Sequence, residues 1–96
     1  MYSVLVEFTI TPGMEANFLD WKHREAELHA ISEGFVARSL MRDLEKPNIY
    51  YFTCTWASKE DHNRYLEHTD FARGIEESKV REAIASRIIH QVEVLD

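Results

Sequence analysis

The apolar residues of this chain change period along its length, and the order of those changes leaves few folds open. From Tyr2 to Thr11 they alternate: Tyr2, Val4, Val6, Phe8 and Ile10 fall on one side, Ser3, Leu5, Glu7 and Thr9 on the other. That is the pattern of a strand. Thr11-Pro12-Gly13 breaks it, with Pro12 expected near the first helical turn. From about Met14 to Ser32 the period becomes helical. Met14, Phe18, Trp21, Leu28 and Ile31 gather on one side, against a polar side with Glu15, Lys22 and Glu27. Gly34 is expected to close this helix in the left-handed conformation. Phe35 to Asp43 has strand character, residues 45–48 read as a turn, and Ile49 to Trp56 is the most β-rich stretch of the chain. Ser58 then caps a second helical region, with Asp61 at its positive end. Thr69-Asp70 reads as another N-cap, which divides that region into two short helices with Leu66, Phe71 and Ile75 inward. Gly74 costs about 1 kcal/mol in a helix interior and predicts a kink or a close approach there. Arg87 to Leu95 alternates again as a closing strand.

The order βαββαβ predicts an α+β, ferredoxin-like sandwich with one antiparallel sheet and both helical regions on one face. The other sheet face is expected to present Leu5, Glu7, Thr9, Thr53, Thr55, Ile89, Gln91 and Leu95, too apolar for water and too polar for a private core. A second copy of the same sheet is the economical cover, so a homodimer is expected. Length agrees. The 96 residues make one domain, 1–96, and a chain this short buries only about 60–65% of its unfolded surface. Eleven Lys and Arg stand against 17 Asp and Glu, a formal charge of −6. That balance argues against nucleic acid and against an anionic membrane surface. With no long apolar stretch and no signal-like N-terminus, the expected location is cytoplasmic. A single cysteine, Cys54, excludes an intrachain disulfide and a cysteine-based zinc cluster.

Several residues could carry chemistry. Glu25 shares the helix face of Phe18, Trp21 and Leu28; turned toward a core, its carboxyl would serve as a general base. The alternatives are a stem bent to solvent, or pairing with Arg38 or Arg42. None of the five histidines, His23, His29, His62, His68 and His90, has metal-site spacing, so no metal is expected. His62, one turn before Leu66, is the best-placed acid/base imidazole, and His68 falls at the expected helix break, where it would border a pocket mouth. Cys54 has no cation near it in sequence and reads as a buried, inert thiol. Trp21, Phe52, Trp56 and Phe71 suffice to wall an aromatic ligand, and core packing explains them equally well.

The Thr11-Pro12-Gly13 break, Phe18 and Trp21, Glu33-Gly34-Phe35, the Tyr50-Tyr51-Phe52 strand and above all the Trp56-Ala57-Ser58-Lys59-Glu60 box resemble the antibiotic-biosynthesis monooxygenase family of the dimeric α/β-barrel superfamily. The resemblance implies two sheets pairing as a dimeric barrel and a pocket between each protomer's helices and its own sheet. It implies oxidation of a phenolic or quinol-type aromatic by dioxygen, with no metal or organic cofactor. It places Tyr65 where relatives line the pocket, as a donor to substrate oxygen, with His62 or Glu25 handling protons. A haem-degrading branch has Asn, Trp and His at the positions of Val6, Tyr65 and Ile75. None is retained, which disfavours haem. A haem-handling protein with an altered ligand set and a non-catalytic ligand-binding or structural dimer remain the alternatives.

Overall fold

Each change of period becomes a change of element. The computed structural model describes residues 1–68 and 80–96, with His68 described in its backbone alone. The expected Thr69-Asp70 cap, Phe71, Gly74 and Ile75 lie outside the described residues. Strand β1 (Tyr2–Ile10) leads to α1 (Glu15–Ala30), then β2 (Phe35–Arg42), β3 (Ile49–Trp56), α2 (Lys59–His68), a one-turn α3 (Val80–Ala83) and β4 (Ile84–Glu93). The sheet has the order β2-β3-β1-β4 with every neighbouring pair antiparallel, the ferredoxin-like arrangement.

The junctions follow from local chemistry. Pro12 precedes the helix rather than opening it. The Thr11 carbonyl accepts from Met14 N at 3.0 Å, and Gly13 takes a φ of +87°, the Pro-Gly order of a type II turn. Gly34, with a φ of +83°, lies past the end of α1, where Ile31 caps the helix instead. A Cβ at Gly34 would also strike the Asp61 side chain, so glycine is required there twice over. Ser58 caps α2 as expected: its Oγ accepts from Asp61 N at 3.2 Å and donates to the Asp61 carboxylate at 2.9 Å.

Residues directly across an antiparallel ladder share a sheet face. Val6 stands opposite Phe52 and Ile89, and Val4 opposite Cys54 and Gln91. Ile89 and Gln91 therefore lie on the helix side, contrary to the sequence expectation. The bare face instead carries Leu5 and Glu7 opposite His90 and Ile88, with Val92 opposite Ser3. The strand begins at Ile84, three residues early, because a bulge between Thr9 and Ile10 extends the pairing to Ile10–Ile84. Leu95 lies beyond it.

The core forms between α1, α2 and the sheet's helix side, around Val6, Phe8, Phe18, Trp21, Phe52 and Trp56. Two expectations about its helices fail. Ile31 and Leu66 are exposed, and Lys22, assigned to the polar side, is only 2% exposed. The buried stripe of α1 is Phe18, Trp21, Lys22, Glu25 and His29, spaced i, i+3, i+4, i+7 and i+11. Helix geometry was obeyed and residue polarity was not.

Candidate functional site

Between that stripe, α2 and the sheet lies a cleft of about 350 Å³. The sheet supplies Tyr2, Val4, Val6, Phe8, Phe52 and Cys54; α1 supplies Trp21, Lys22, Glu25 and His29; α2 supplies Lys59, His62, Asn63, Tyr65 and Leu66. Strand β4 closes one side with Arg87, Ile89 and Gln91, where Tyr2 Oη donates to Gln91 Oε1 at 3.2 Å.

The floor beneath α1 is a buried charge cluster. Lys22 Nζ donates to Glu25 Oε1 at 3.0 Å. Arg38, brought in on β2, reaches the same oxygen through Nη1 at 3.4 Å and the Lys22 carbonyl through Nη2 at 3.0 Å. Of the alternatives open for Glu25, pairing with Arg38 is the one adopted; Arg42 turns instead to Tyr50 Oη. With a 4% exposed side chain and two cations on one oxygen, Glu25 is built to hold the floor together. Lys22 Nζ also sits 3.6, 4.2 and 4.9 Å from the ring centres of Phe52, Trp21 and Phe8, an aromatic box that favours a cation. Burial nonetheless lowers its pKa to about 8, with Glu25 opposing the shift and Arg38 adding to it.

His29, deep in the same cluster, is held neutral. Burial first, then the charges of Arg38 and Lys22, push its pKa down to about 3. Arg38 Nη1 lies 2.9 Å from His29 Nδ1; a guanidinium only donates, so Nδ1 accepts and the ring proton belongs on Nε2. Cys54 Sγ is 3.8 Å from that Nε2. Burial and the Glu25 charge push the thiol up to about 11, which leaves it un-ionised and inert.

The wall beneath α2 is aromatic and carries two titratable rings, Tyr65 and His62. Tyr65 is buried, its ring centre 4.7 Å from His29, 5.2 Å from Trp56 and 6.4 Å from the nearly parallel ring of His62. Burial, with the Glu25 charge second, raises the Tyr65 pKa beyond its ordinary range, so the phenol keeps its proton. Burial lowers the pKa of His62, so its imidazole is neutral near pH 7. Among the described residues His62 Nδ1 is buried with no hydrogen-bond partner.

The structure thus brings together Tyr65, His62, Glu25, Trp21 and Phe52 from the sequence-predicted set. Trp56 is fully buried and stands behind the lining, its ring tilted against those of Tyr65 and His62. The His68 side chain and Phe71 lie outside the described residues. Sequence reasoning missed Lys22, His29 and Arg87. The first two were legible as part of the 3.6-residue stripe. Arg87 was not, because its face depends on the pairing of β4 with β1. Among the described residues no three His, Cys, Asp or Glu side chains converge as a metal site requires.

The family model described as antibiotic biosynthesis monooxygenase matches residues 1–77. The chain belongs to this family. Solved structures similar to it extend the match over the whole fold of this family member. SnoaB, a cofactor-independent oxygenase from Streptomyces nogalater, superposes with a TM-score of 0.83 at 21% identity, covering 99% of this chain and 93% of that one. A Nitrosomonas europaea protein assigned as an antibiotic biosynthesis monooxygenase gives 0.87 at 13% identity, with 100% of each chain covered. One from Bordetella bronchiseptica gives 0.81 at 21%, covering 98% and 96%. At such identities the likeness is one of fold. No protein of curated function matches the sequence. No described helix is long and apolar enough to cross a membrane.

Proposed function

We propose that this family member is a monooxygenase that oxidises a small phenolic or quinol-type aromatic with dioxygen, the substrate itself supplying the electrons. One observation carries the reading: a phenol that keeps its proton, Tyr65, and a neutral imidazole, His62, stand side by side against an aromatic-walled cleft. His62 is suited to accept the substrate's phenolic proton, and Tyr65 to donate to the oxyanion so formed. An electron passes from the phenolate to dioxygen, and the phenoxyl and superoxide combine at a ring carbon as a peroxide. His62 returns its proton to the outer peroxide oxygen and the O–O bond breaks; the hydroxide so formed and the proton from that ring carbon leave as water, and a quinone carbonyl remains. Phenol and dioxygen become quinone and water, a balance of four electrons with no outside reductant.

Glu25 enters this reading as the residue that positions Lys22 and Arg38, not as the base. Trp21 and Phe52 wall the substrate. The bare sheet face, with Leu5, Ile88 and Val92 exposed, supports a homodimer formed sheet to sheet. Dioxygen uptake with a panel of phenols and quinols tests the chemistry, with ¹⁸O from labelled dioxygen expected in the quinone. Absence of uptake across the panel leaves the non-catalytic binding dimer as the better reading. A solution mass of 11.3 kDa would overturn the dimer.

A further inference from the structure

The whole chain is acidic, at −6, yet its cleft is not. Among the described residues its lining carries three cations, Lys22, Lys59 and Arg87, and one carboxylate, Glu25. Glu25 is already shared between Lys22 and Arg38, a guanidinium outside the lining. Neither Lys59 nor Arg87 is ion-paired among the described residues, so the cleft holds cations that its own carboxylate does not answer. Two of the lining cations share one neighbour. Lys22 Nζ sits 4.9 Å from the centre of the Phe8 ring, and Arg87 stands directly across from Phe8 on β4. Positive charge therefore lies at the aromatic end of the cleft.

We propose that the cleft selects an aromatic ligand bearing a carboxylate, seated with its ring against Phe8 and Phe52 and its carboxylate on Arg87. A planar guanidinium on an exposed strand position matches a carboxylate with two parallel N–H···O bonds. The ammonium of Lys22 beneath adds attraction without needing direct contact. A simple phenol carries no charge at pH 7 and would leave Arg87 without a counter-charge. The proposal rests on reading the cleft as the substrate site, and it narrows the substrate to a phenol that also bears a carboxylate.

The test compares 2-naphthoate with its neutral isostere 2-naphthamide, titrated into the full-length protein at pH 7 and low salt by calorimetry. The naphthoate is expected to bind about 10-fold more tightly, the scale of one charge-assisted contact. Arg87→Gln, at an exposed position that leaves the buried ion pairs intact, is expected to cut that preference at least about threefold. Lys22→Met is expected to reduce it as well; if that variant does not fold, Arg87→Gln alone decides. An amide that binds as tightly as the carboxylate, a preference unchanged in Arg87→Gln, or no naphthoate binding at millimolar concentration overturns the proposal. No dioxygen is involved in the measurement. A protein that prefers naphthoate but oxidises nothing loses the oxygenase reading and keeps this one. A protein that oxidises neutral quinols and prefers the amide does the reverse.

Discussion

The floor and the wall of the cleft are built on opposite principles. Beneath α1, Lys22, Glu25, His29 and Arg38 occupy one another through contacts of 2.9 to 3.4 Å. Beneath α2, His62 and Tyr65 meet their neighbours chiefly as rings. Groups that are bonded to each other are costly to move and poor at exchanging protons with a ligand. Ring packing of this kind does not tie the two groups into ion pairs. The floor should therefore matter most for stability and field, and the wall for turnover.

Four changes would break or sharpen that contrast. The largest effect belongs to Glu25→Gln, which leaves Lys22 and Arg38 as like charges in a buried space. Losing one partner of such a cluster costs about 3–5 kcal/mol, read as a lower midpoint in urea unfolding; an unchanged midpoint would show that the floor is not a charge cluster in solution. Next comes Tyr65→Phe on the wall. Oxygen uptake is expected to fall roughly 10²-fold or more, while stability changes by no more than about 1 kcal/mol. Equal losses in both would make Tyr65 a packing residue.

His29→Phe probes the floor by pH. The folded pKa, about 3, lies below the ordinary 6.5, so the unfolded chain binds more protons between those values. Stability from neutral His29 is thus complete above pH 6.5 and is lost as pH falls from 6.5 toward 3. Melting temperature in the parent protein should drop over that window, by roughly 4–8 °C for each kcal/mol lost. The variant should show a flatter acid limb, and an unaltered limb would mean that His29 titrates normally. At the wall, His62→Gln removes the proposed base, and the rate is expected to fall roughly 10²-fold. Because burial depresses its pKa, the acid limb of the rate profile in the parent should lie below pH 6.5, and it should vanish in the variant.

Much of the fold was legible because backbone periods are local. Alternation in β1 and the β-rich run of β3 were read within a residue or two of their observed bounds, and Ser58 and Gly34 announced their roles through capping and positive φ. The site was read less well. Tyr65, His62, Glu25, Trp21 and Phe52 all line the cleft, but Lys22 was sent to solvent because lysine is seldom buried without a partner. Its partners arrive from elsewhere: Glu25 one turn on, Arg38 from β2, and the Phe8 and Phe52 rings from two strands. Residues distant in sequence offer no local signal of that kind.

By itself, then, the sequence determined the order and kind of the elements, the capping of α2 and the helical period of the α1 stripe, since each depends on neighbours within a few residues. Only the tertiary structure decided what that stripe meant. Register placed Arg87 and Ile89 on the cleft side and left Ile88, His90 and Val92 bare. Packing made a buried lysine tolerable, and the convergence of β2 on α1 fixed the protonation of His29. The physical reason is one of range. Hydrophobic period and capping act over about a helical turn, whereas desolvation and charge pairing depend on whatever the fold brings within a few ångströms.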